Sequence, residues 1–265
     1  MTGEPKGGDR KRSYAAPALE KGIEIVELLA SAPAGLTVSE IAQGLGRSIG
    51  EIFRIVIVME ARNWLRKGPK DDRYTVTYRV LEAAFRATPA HGLTMAAAVP
   101  MQELTDTINL SCHLVVVGDG CGLVVKRQES PGHVGFGVRL GVSVDLVTSC
   151  SGHVLLAFMP EAQREALVAE LTGSNPAAEK ALRQRIATVR AQGYEMQPSA
   201  RVAGVTDLSA PIFGFEGHAV AALTVPYLVM IDGCQPTDLN QTRDRLRETA
   251  ERISADLGWV PPATA

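Results

Sequence analysis

One cysteine and two histidines have a spacing that suggests thiol chemistry. Cys150 lies in a stretch rich in Ser and Gly where a helix is expected to begin, and such a helix end lowers the pKa of a thiol. His133 or His153 would then serve as the base that activates the nucleophile. This pattern allows a cysteine-dependent hydrolase, although no fixed enzyme signature surrounds Cys150. The commoner fate of such a cysteine is a small buried hydrophobe.

The remaining thiols give no metal or redox site. Cys112 and His113 are adjacent, but a metal would need two further ligands that the sequence does not place there. The other cysteines, Cys121 and Cys234, form no CxxC pair with Cys112 or Cys150. We therefore predict no metal and no cofactor, and reduced thiols in a cytoplasmic protein.

A different chemistry is indicated by residues 36–78, where two helix starts lie close together. Thr37 with Glu40, and Ser48 with Glu51, each have the spacing of a capping box. Between them, residues 44–47 leave room only for a tight turn containing Gly. Two helices joined in this way are typical of a helix-turn-helix.

A hairpin is expected directly after the second helix. Residues 64–66 and 73–78 predict two strands, and the polar residues 67–72 predict the turn between them. This order of elements is a winged helix-turn-helix, which places a helix in the major groove of DNA. A small helical domain without DNA is the alternative, but the order and spacing favour DNA binding.

The third helix, predicted over residues 51–62, separates a buried face from an outer face. Ile52, Ile55, Val56 and Met59 form its apolar stripe. The basic side chains left outside suit phosphate oxygens or guanine edges. The alternatives are a solvated surface arginine and, for Glu51, a capping role. The predicted DNA-binding residues are Arg47, Ser48, Ile49, Glu51, Arg54, Lys67 and Lys70.

Charge is distributed unevenly along the 265 residues. Residues 1–80 contain 13 Lys and Arg against 10 Asp and Glu, and the remainder contains 14 against 19. A mildly basic first part and an acidic second part fit a protein that contacts phosphates at one end only. The first residues carry no apolar stretch typical of a signal peptide, and no apolar run reaches the roughly 18 residues of a membrane span.

The elements that must position these residues follow from periodicity. Pro17 opens a first helix whose predicted inner face is Leu19, Ile23, Val26 and Leu29. After residue 79 a linker helix and a longer helix are expected, broken by Pro89 and Pro100. A connector of this kind often mediates dimerisation, and dimers read two half-sites.

The second half alternates strands and helices, which predicts an α+β sensor domain. Its predicted strands are residues 114–119, 122–128, 204–213 and 218–225, and its predicted helices include 161–171, 176–192 and 236–257. The predicted organisation is a disordered basic arm (1–15), a winged helix-turn-helix (16–79), a linker helix (80–95), an effector-binding domain (96–258) and a tail (259–265).

Several segments together are similar to the IclR family of bacterial transcriptional regulators. They are residues 36–67, the run Thr-Ser-Cys-Ser-Gly-His-Val-Leu-Leu-Ala at 148–157, Gly193 with Tyr194, residues 204–212 and residues 221–225. The resemblance extends over residues 16–257. It implies a GAF-like effector domain and a ligand-responsive regulator of a catabolic pathway, repressor or activator. It also implies a homodimer or dimer of dimers that binds a palindromic double-stranded operator, and no enzymatic activity.

The resemblance also assigns an effector site, position by position. It implies His133, Phe136, Val144, Cys150, Ser151, Gln197, Val205, Asp207, Thr224 and Pro226. The chain departs from the family at His153, where a lysine is usual, at residues 197–201, and at residues 226–228. These departures argue against a very small acid such as glyoxylate or pyruvate. Apolar walls with a few polar groups indicate an aromatic or otherwise hydrophobic organic acid.

Two other functions remain as alternatives: the hydrolase that uses Cys150, and a scaffold protein without ligands, which would leave the binding-site pattern unexplained.

Overall fold

The structure, a computed structural model, describes residues 16–69, 71–87, 90–133, 135–229 and 235–261. The predicted basic arm, Lys70 and Cys234 lie outside the described residues. The chain divides into two compact units, Met1–Thr88 and Pro89–Ala265, so the division falls inside the predicted linker. Each unit has its own apolar core.

The first unit contains three helices, a two-stranded sheet and a fourth helix. Its elements are α1 (Pro17–Ala30), α2 (Val38–Gly44), α3 (Ile49–Ala61), β1 (Leu65–Lys67), β2 (Tyr74–Val76) and α4 (Tyr78–Ala87). The strands pair antiparallel, and Leu36 forms a bridge to Tyr74 that joins the sheet to the start of α2. This is the predicted winged helix-turn-helix.

The first capping box is present in full and also anchors the wing. The Thr37 hydroxyl accepts a hydrogen bond from the Glu40 amide, and the Glu40 carboxylate accepts one from the Thr37 amide at 2.8 Å. The same carboxylate receives two hydrogen bonds from the Arg73 guanidinium, at 2.9 and 3.0 Å. One side chain therefore fixes the start of α2 and the position of β2.

The second predicted capping box is only half correct. The Ser48 hydroxyl accepts the Glu51 amide, but the Glu51 carboxylate forms an ion pair with Lys21 of α1 instead of returning to Ser48. An ammonium group within reach binds the carboxylate more strongly than an exposed amide does. Glu51 thus joins α3 to α1.

The predicted inner face of α1 was only partly correct: Leu29 is buried as predicted, but Leu19 and Ile23 are not. Ile25 and Leu29 are buried in the core, whereas Leu19 is 65% exposed and Ile23 52% exposed. α1 carries apolar residues on two sides, so periodicity alone favours neither. The helix turns the Ile25 side inward because that side meets α2 and α3.

The second unit is a six-stranded sheet flanked by helices. Its elements are α5 (Ala90–Ala96), α6 (Ala98–Ile108), β3 (Cys112–Gly118), β4 (Cys121–Gln128), β5 (Ser143–Val144), α7 (Cys150–Phe158), α8 (Glu161–Thr172), α9 (Pro176–Gln192), β6 (Glu195–Pro198), β7 (Val205–Phe213), β8 (Ala219–Leu228) and α10 (Leu239–Asp256). The strand order is β5-β4-β3-β8-β7-β6, with every neighbouring pair antiparallel. The predicted α+β class is confirmed.

The two faces of this sheet have different partners, because side chains alternate along each strand. Leu114, Leu208 and Leu223 lie in a core that includes residues of α6 and α10. Val115 and Ala222 lie on the opposite face, in a core built from α7, α8 and α9. The second face is the one that carries the predicted effector residues.

One of two predicted helix limits differs from the structure. The predicted break near Pro100 is present: α5 ends at Ala96, and Pro100 lies in the first turn of α6, where its missing N–H would have no intrahelical partner in any case. The last helix begins at Leu239 and not at Pro236, because Asp238 caps it in a capping box with Gln241. Among the described residues, no helix is long and apolar enough to cross a membrane.

Gly152 lets α7 lie directly against the preceding turn. A Cβ atom at this position would stand 2.4 Å from the carbonyl oxygen and 2.5 Å from the Cα of Leu146. Both atoms belong to the backbone, so neither can move aside cheaply. The approach of α7 to the sheet therefore depends on this glycine.

We expect Gly152→Ala to lower the free energy of unfolding by about 1–3 kcal/mol, the usual cost of forcing an atom into a packed site. The matched control is Gly92→Ala in α5, where a Cβ would meet nothing within 4 Å. The control should raise stability by about 0.5–1 kcal/mol, since alanine favours a helix. Urea denaturation measures both changes, and equal stabilities for the two variants would contradict the steric argument.

Candidate DNA-binding surface and effector site

The start of α3 and its outer face are accessible in the first unit. Arg47, Ser48, Ile49 and Arg54 are exposed. Arg47 directly precedes the cap residue Ser48, at the helix start where free backbone N–H groups favour phosphate oxygens, and Arg54 lies in the second turn of α3. Glu51 is half-buried and paired with Lys21, so its carboxylate is engaged with α1.

Apolar side chains on the outer face of α3 were missed by the sequence analysis. Phe53 is 49% exposed and Ile57 42% exposed, and both lie one turn apart on the side away from the core. Apolar side chains on such a helix can contact the thymine methyl group in the major groove. The available signal was that α3 contains more apolar residues than its core stripe uses.

The wing carries only one of its two predicted basic contacts in the described structure. Lys67 lies at the end of β1, and its ammonium is 2.7 Å from the Asp72 carboxylate, which raises the pKa of Lys67. Both side chains are largely exposed, so this pair can exchange for a phosphate at little cost. Lys70, at the tip, lies outside the described residues.

In the second unit, a row of polar residues crosses the sheet, one on each of five strands. Strand pairing places them directly opposite one another, in the order Glu195, Ser209, Thr224, His113 and Arg127. Opposite residues in an antiparallel pair point to the same face. The row therefore lies on the face that α7 covers.

A second row, two residues along, contains three predicted effector residues. Gln197, Asp207 and Pro226 are opposite one another on β6, β7 and β8. Val205 is two residues before Asp207 on the same strand and is buried. The structure thus brings together Gln197, Val205, Asp207, Thr224 and Pro226, all predicted from separate parts of the sequence.

The beginning of α7 lies over this second row. The Cys150 thiol donates a hydrogen bond to the Asp207 carbonyl oxygen, with a distance of 3.3 Å between sulfur and oxygen. The Gln197 side-chain amide donates to the Thr148 carbonyl at 3.0 Å. Burial raises the pKa of the Asp207 carboxyl. These contacts place the start of α7 next to Asp207, whose carboxyl group is costly to ionise.

The first turn of α7 leaves two backbone donors. Ser149 caps the helix by accepting the Gly152 amide at 3.0 Å. Among the described residues, the amides of Cys150 and Ser151 have no acceptor. Since the helix dipole adds partial positive charge there, these amides can bind a carboxylate.

The remaining predicted effector residues lie at the other end of the sheet face. His133 is exposed, Phe136 is half-buried, and Val144 on β5 packs against the α7–α9 core. Gly135 and Gly137, on either side of Phe136, come close to Ser111. The segment with Phe136 therefore passes close to the start of β3 and to Arg127 of β4, whereas the exposed His133 is not part of a buried site.

A buried ion cluster holds α7 in place. The Glu195 carboxylate is 3.0 Å from Nδ1 of His153 and receives two hydrogen bonds from Arg185, each at 2.6 Å. The other ring nitrogen of His153 is 2.7 Å from the Val147 carbonyl. His153 thus lies between the Glu195 carboxylate of β6 and the carbonyl of the turn that precedes α7. Burial tends to raise the pKa of Glu195, but the hydrogen bonds from His153 and Arg185 outweigh it and lower that pKa.

The structure gives no support for thiol catalysis. Burial, together with the nearby Glu195 carboxylate, raises the pKa of Cys150, so the thiol stays protonated and is not a nucleophile. Burial also raises the pKa of Cys112 to about 12. Cys112, Cys121 and Cys150 are free thiols, and the described residues contain no cluster of three His, Cys, Asp or Glu side chains that could hold a metal.

Comparison with known families agrees with both units. Residues 18–69 match the IclR helix-turn-helix domain, and residues 85–255 match the C-terminal domain of the bacterial transcriptional regulator IclR. The chain belongs to the IclR family. It is a DNA-binding transcriptional regulator and not an enzyme, so the hydrolase alternative is wrong.

Relatives of this IclR-family protein match it over nearly their full length. The glycerol operon regulatory protein of Streptomyces griseus is 27% identical and is covered to 96%, with 91% of this chain aligned. The regulator BhcR of Paracoccus denitrificans is also 27% identical, with 92% of this chain and 88% of BhcR aligned.

Solved structures show the same fold. HmgR of Pseudomonas aeruginosa is 26% identical with a TM-score of 0.73, over 91% of this chain and 99% of HmgR. An IclR homolog of Microbacterium hydrocarbonoxydans, complexed with 4-hydroxybenzoate, is 24% identical with a TM-score of 0.76, over the same shares of the two chains.

We expect Glu195→Gln to destabilise the second unit by about 3 kcal/mol at pH 7, near the low end for breaking a buried ion pair because Arg185 is partly exposed. The folded pKa of Glu195 lies below its unfolded value, so its contribution is complete above about pH 4.3 and is lost as pH falls through the folded pKa. The difference between variant and wild type should therefore narrow in acid.

Urea denaturation of the wild-type protein and the Glu195→Gln variant, between pH 7 and pH 3.5, measures how the difference in their stability changes with pH. The control is Glu248→Gln in α10, whose partner Arg245 is exposed, and it should change stability by less than about 1 kcal/mol. A Glu195 variant as stable as the control at pH 7 would show that the cluster contributes nothing.

Proposed function

We propose that this regulator controls a catabolic pathway in response to an aromatic or otherwise hydrophobic organic acid, acting in the cytoplasm as a repressor or an activator. The observation that carries the proposal is the polar sheet face beneath the start of α7. There two backbone donors, Asp207 and the Ser209–Thr224 pair lie on one surface. Such a surface is costly to bury unless a polar ligand meets it.

The carboxylate of the effector binds at the start of α7, through the amides of Cys150 and Ser151. The donors are fixed in position, because Ser149 caps the helix and the Glu195 cluster holds His153 on its next turn. Fixed donors bind an anion without a reorganisation cost. The protonated Cys150 thiol adds no negative charge that would oppose it.

The body of the effector is apolar. Val205 and Pro226 are buried on the sheet face, and Phe136 is half-buried on the segment that lies beside β3. An aromatic ring matches such walls, with the few polar groups serving for orientation. The Microbacterium homolog that binds 4-hydroxybenzoate supports the class of ligand proposed here.

The outer face of α3 reads the operator. Arg47 and Arg54 contact phosphates or guanine edges, and Ser48 and Ile49 lie at the end of the helix that enters the groove. Lys67 and Lys70 on the wing contact the backbone of the duplex, and Glu51 positions α3 through Lys21.

The protein acts as a homodimer, or as a dimer of dimers, on a palindromic operator. The first unit exposes an apolar groove of about 790 Å³ between α1 and α3, lined by Leu19, Ile23, Val58 and Trp64 among others. α4 adds exposed Tyr78 and Leu81. An exposed apolar groove of this kind marks a protein contact, and a dimer presents two reading helices to two half-sites.

We expect Arg54→Ala to weaken operator binding by about 1–3 kcal/mol if it contacts guanine, or to reduce the salt slope by about one if it contacts phosphate. Titration of the full-length protein on its own upstream DNA at several salt concentrations measures both. The control is Arg245→Ala on α10, whose guanidinium faces Glu248. Equal affinities for the two variants would remove Arg54 from the interface.

Phe136→Ala should leave DNA affinity unchanged and reduce the effector response, because Phe136 belongs to the second unit and is proposed here as a wall of the effector site. A loss of one aromatic wall corresponds to a Kd about tenfold higher or more. The response is read as the shift in operator affinity when 4-hydroxybenzoate or a related aromatic acid is added. Weaker DNA binding with an intact response would reverse the assignment of the two units.

A further inference from the structure

His113 is the one member of the polar row whose side chain has an unexplained buried atom. Its side chain is 5% exposed, and none of the described residues gives its Nδ1 atom a hydrogen bond. A buried polar atom without a partner costs about 1–3 kcal/mol, so proteins retain one only for a reason. The fold itself does not supply that reason, since an apolar residue would fill the place.

The strand register fixes the direction in which His113 points. It lies opposite Thr224 on β8 and opposite Arg127 on β4, and its neighbours Cys112 and Leu114 belong to the core on the other face. His113 therefore shares a face with Thr224 and Asp207, and so with the proposed effector site. Other members of the row have partners: Arg127 is paired with Glu129, Ser209 donates to the Leu223 carbonyl, and Glu195 is bound by His153 and Arg185. His113 and Thr224 lie next to each other between them.

The chemistry of these two groups selects an uncharged partner. Burial lowers the pKa of His113 to about 4, so the imidazole is neutral at physiological pH and cannot neutralise a carboxylate. A neutral imidazole nitrogen either donates or accepts, depending on the tautomer. The Thr224 hydroxyl, 2.9 Å from the Ser209 hydroxyl, keeps one hydrogen-bonding position for a further group.

A hydroxyl group is the partner that fits both. It donates and accepts at once, so it can meet either tautomer of His113 and also the Thr224 oxygen. Side chains directly opposite in an antiparallel pair have Cβ atoms about 4.5–5.5 Å apart, which lets one oxygen atom reach both residues. A single hydroxyl group on the effector would thus give Nδ1 of His113 a hydrogen-bond partner.

We infer that His113 is a specificity residue of the effector site, and that it recognises a hydroxyl group on the organic acid. The inference rests on the proposed function. In that proposal the carboxylate of the effector lies at the start of α7 beside Asp207, which is on β7. His113 is on β3, two strand spacings or about 10 Å away, so the hydroxyl lies about that far from Asp207. The effector is therefore an aromatic acid with its hydroxyl on the side of the ring away from the carboxylate. His113 therefore sets the ratio of affinities between acids that carry this hydroxyl group and acids that lack it.

Calorimetric titration of the full-length protein with benzoate, 3-hydroxybenzoate and 4-hydroxybenzoate tests this. The wild-type protein should bind at least one of the hydroxylated acids about tenfold more tightly than benzoate, the equivalent of one or two hydrogen bonds. In His113→Leu that ratio should fall to about one, while the Kd for benzoate changes less than about twofold. His113→Asn, which keeps a polar atom near the position of Nδ1, should restore part of the preference.

Two comparisons keep the outcome decisive. His218→Leu, at the exposed turn between β7 and β8, should keep the wild-type ratio. Without ligand, His113→Leu should melt no lower than the wild-type protein, since it removes an unpaired buried atom; a lower melting temperature would show an internal role and overturn the inference.

The failures of the two proposals are distinguishable. If the wild-type protein prefers a hydroxylated acid and His113→Leu keeps the same preference, His113 is a structural residue and only this inference falls. If the wild-type protein binds none of the three acids, the effector class proposed above is wrong and the role of His113 falls with it. A wild-type protein that binds all three equally overturns the hydroxyl contact and leaves the effector class standing.

Discussion

A single buried carboxylate, that of Glu195, joins the elements on which the proposed effector site depends. It lies on β6 and binds His153 of α7 and Arg185 of α9. The start of α7 also has two weaker polar contacts, from Cys150 to the Asp207 carbonyl and from Gln197 to the Thr148 carbonyl. The rest of the helix packs through apolar contacts, which resist separation but not sliding. The ion cluster fixes one turn of the helix relative to one strand. The backbone donors at Cys150 and Ser151 are positioned through that contact, and so is the distance from them to His113.

The two units divide the work of a regulator between surfaces of opposite character. The first unit keeps a helix face exposed, with arginines and with apolar side chains that have no partner within the described part of the unit. The second unit buries polar groups on a sheet face. An effector can alter DNA binding only if its affinity differs between the arrangements of the protein that bind DNA well and badly. The unpaired polar groups of the second unit are where that difference in free energy can arise.

Local sequence signals predicted the helices and the turn of the first unit well. Pro17 starts α1, and Thr37 with Glu40 forms the expected capping box. These features depend on contacts within about one turn, which the sequence displays directly. The errors arose where the local sequence allowed two arrangements. α1 has two apolar sides, either of which could face the core. The Glu51 carboxylate could bind either Ser48 or Lys21, and it binds Lys21. Such choices are made by whichever element packs nearby.

The sequence by itself determined the order of the elements, the family to which they belong and the separate segments that carry the predicted effector residues. Only the tertiary structure decided which residues meet. The row from Glu195 to Arg127 joins five strands that are far apart in the chain, and a shift of one residue in any pairing would turn a member to the other face. His113 shows this most clearly. Next to Cys112 in the sequence it suggested only an incomplete metal site, whereas strand register places it opposite Thr224, where burial deprives its Nδ1 of a partner.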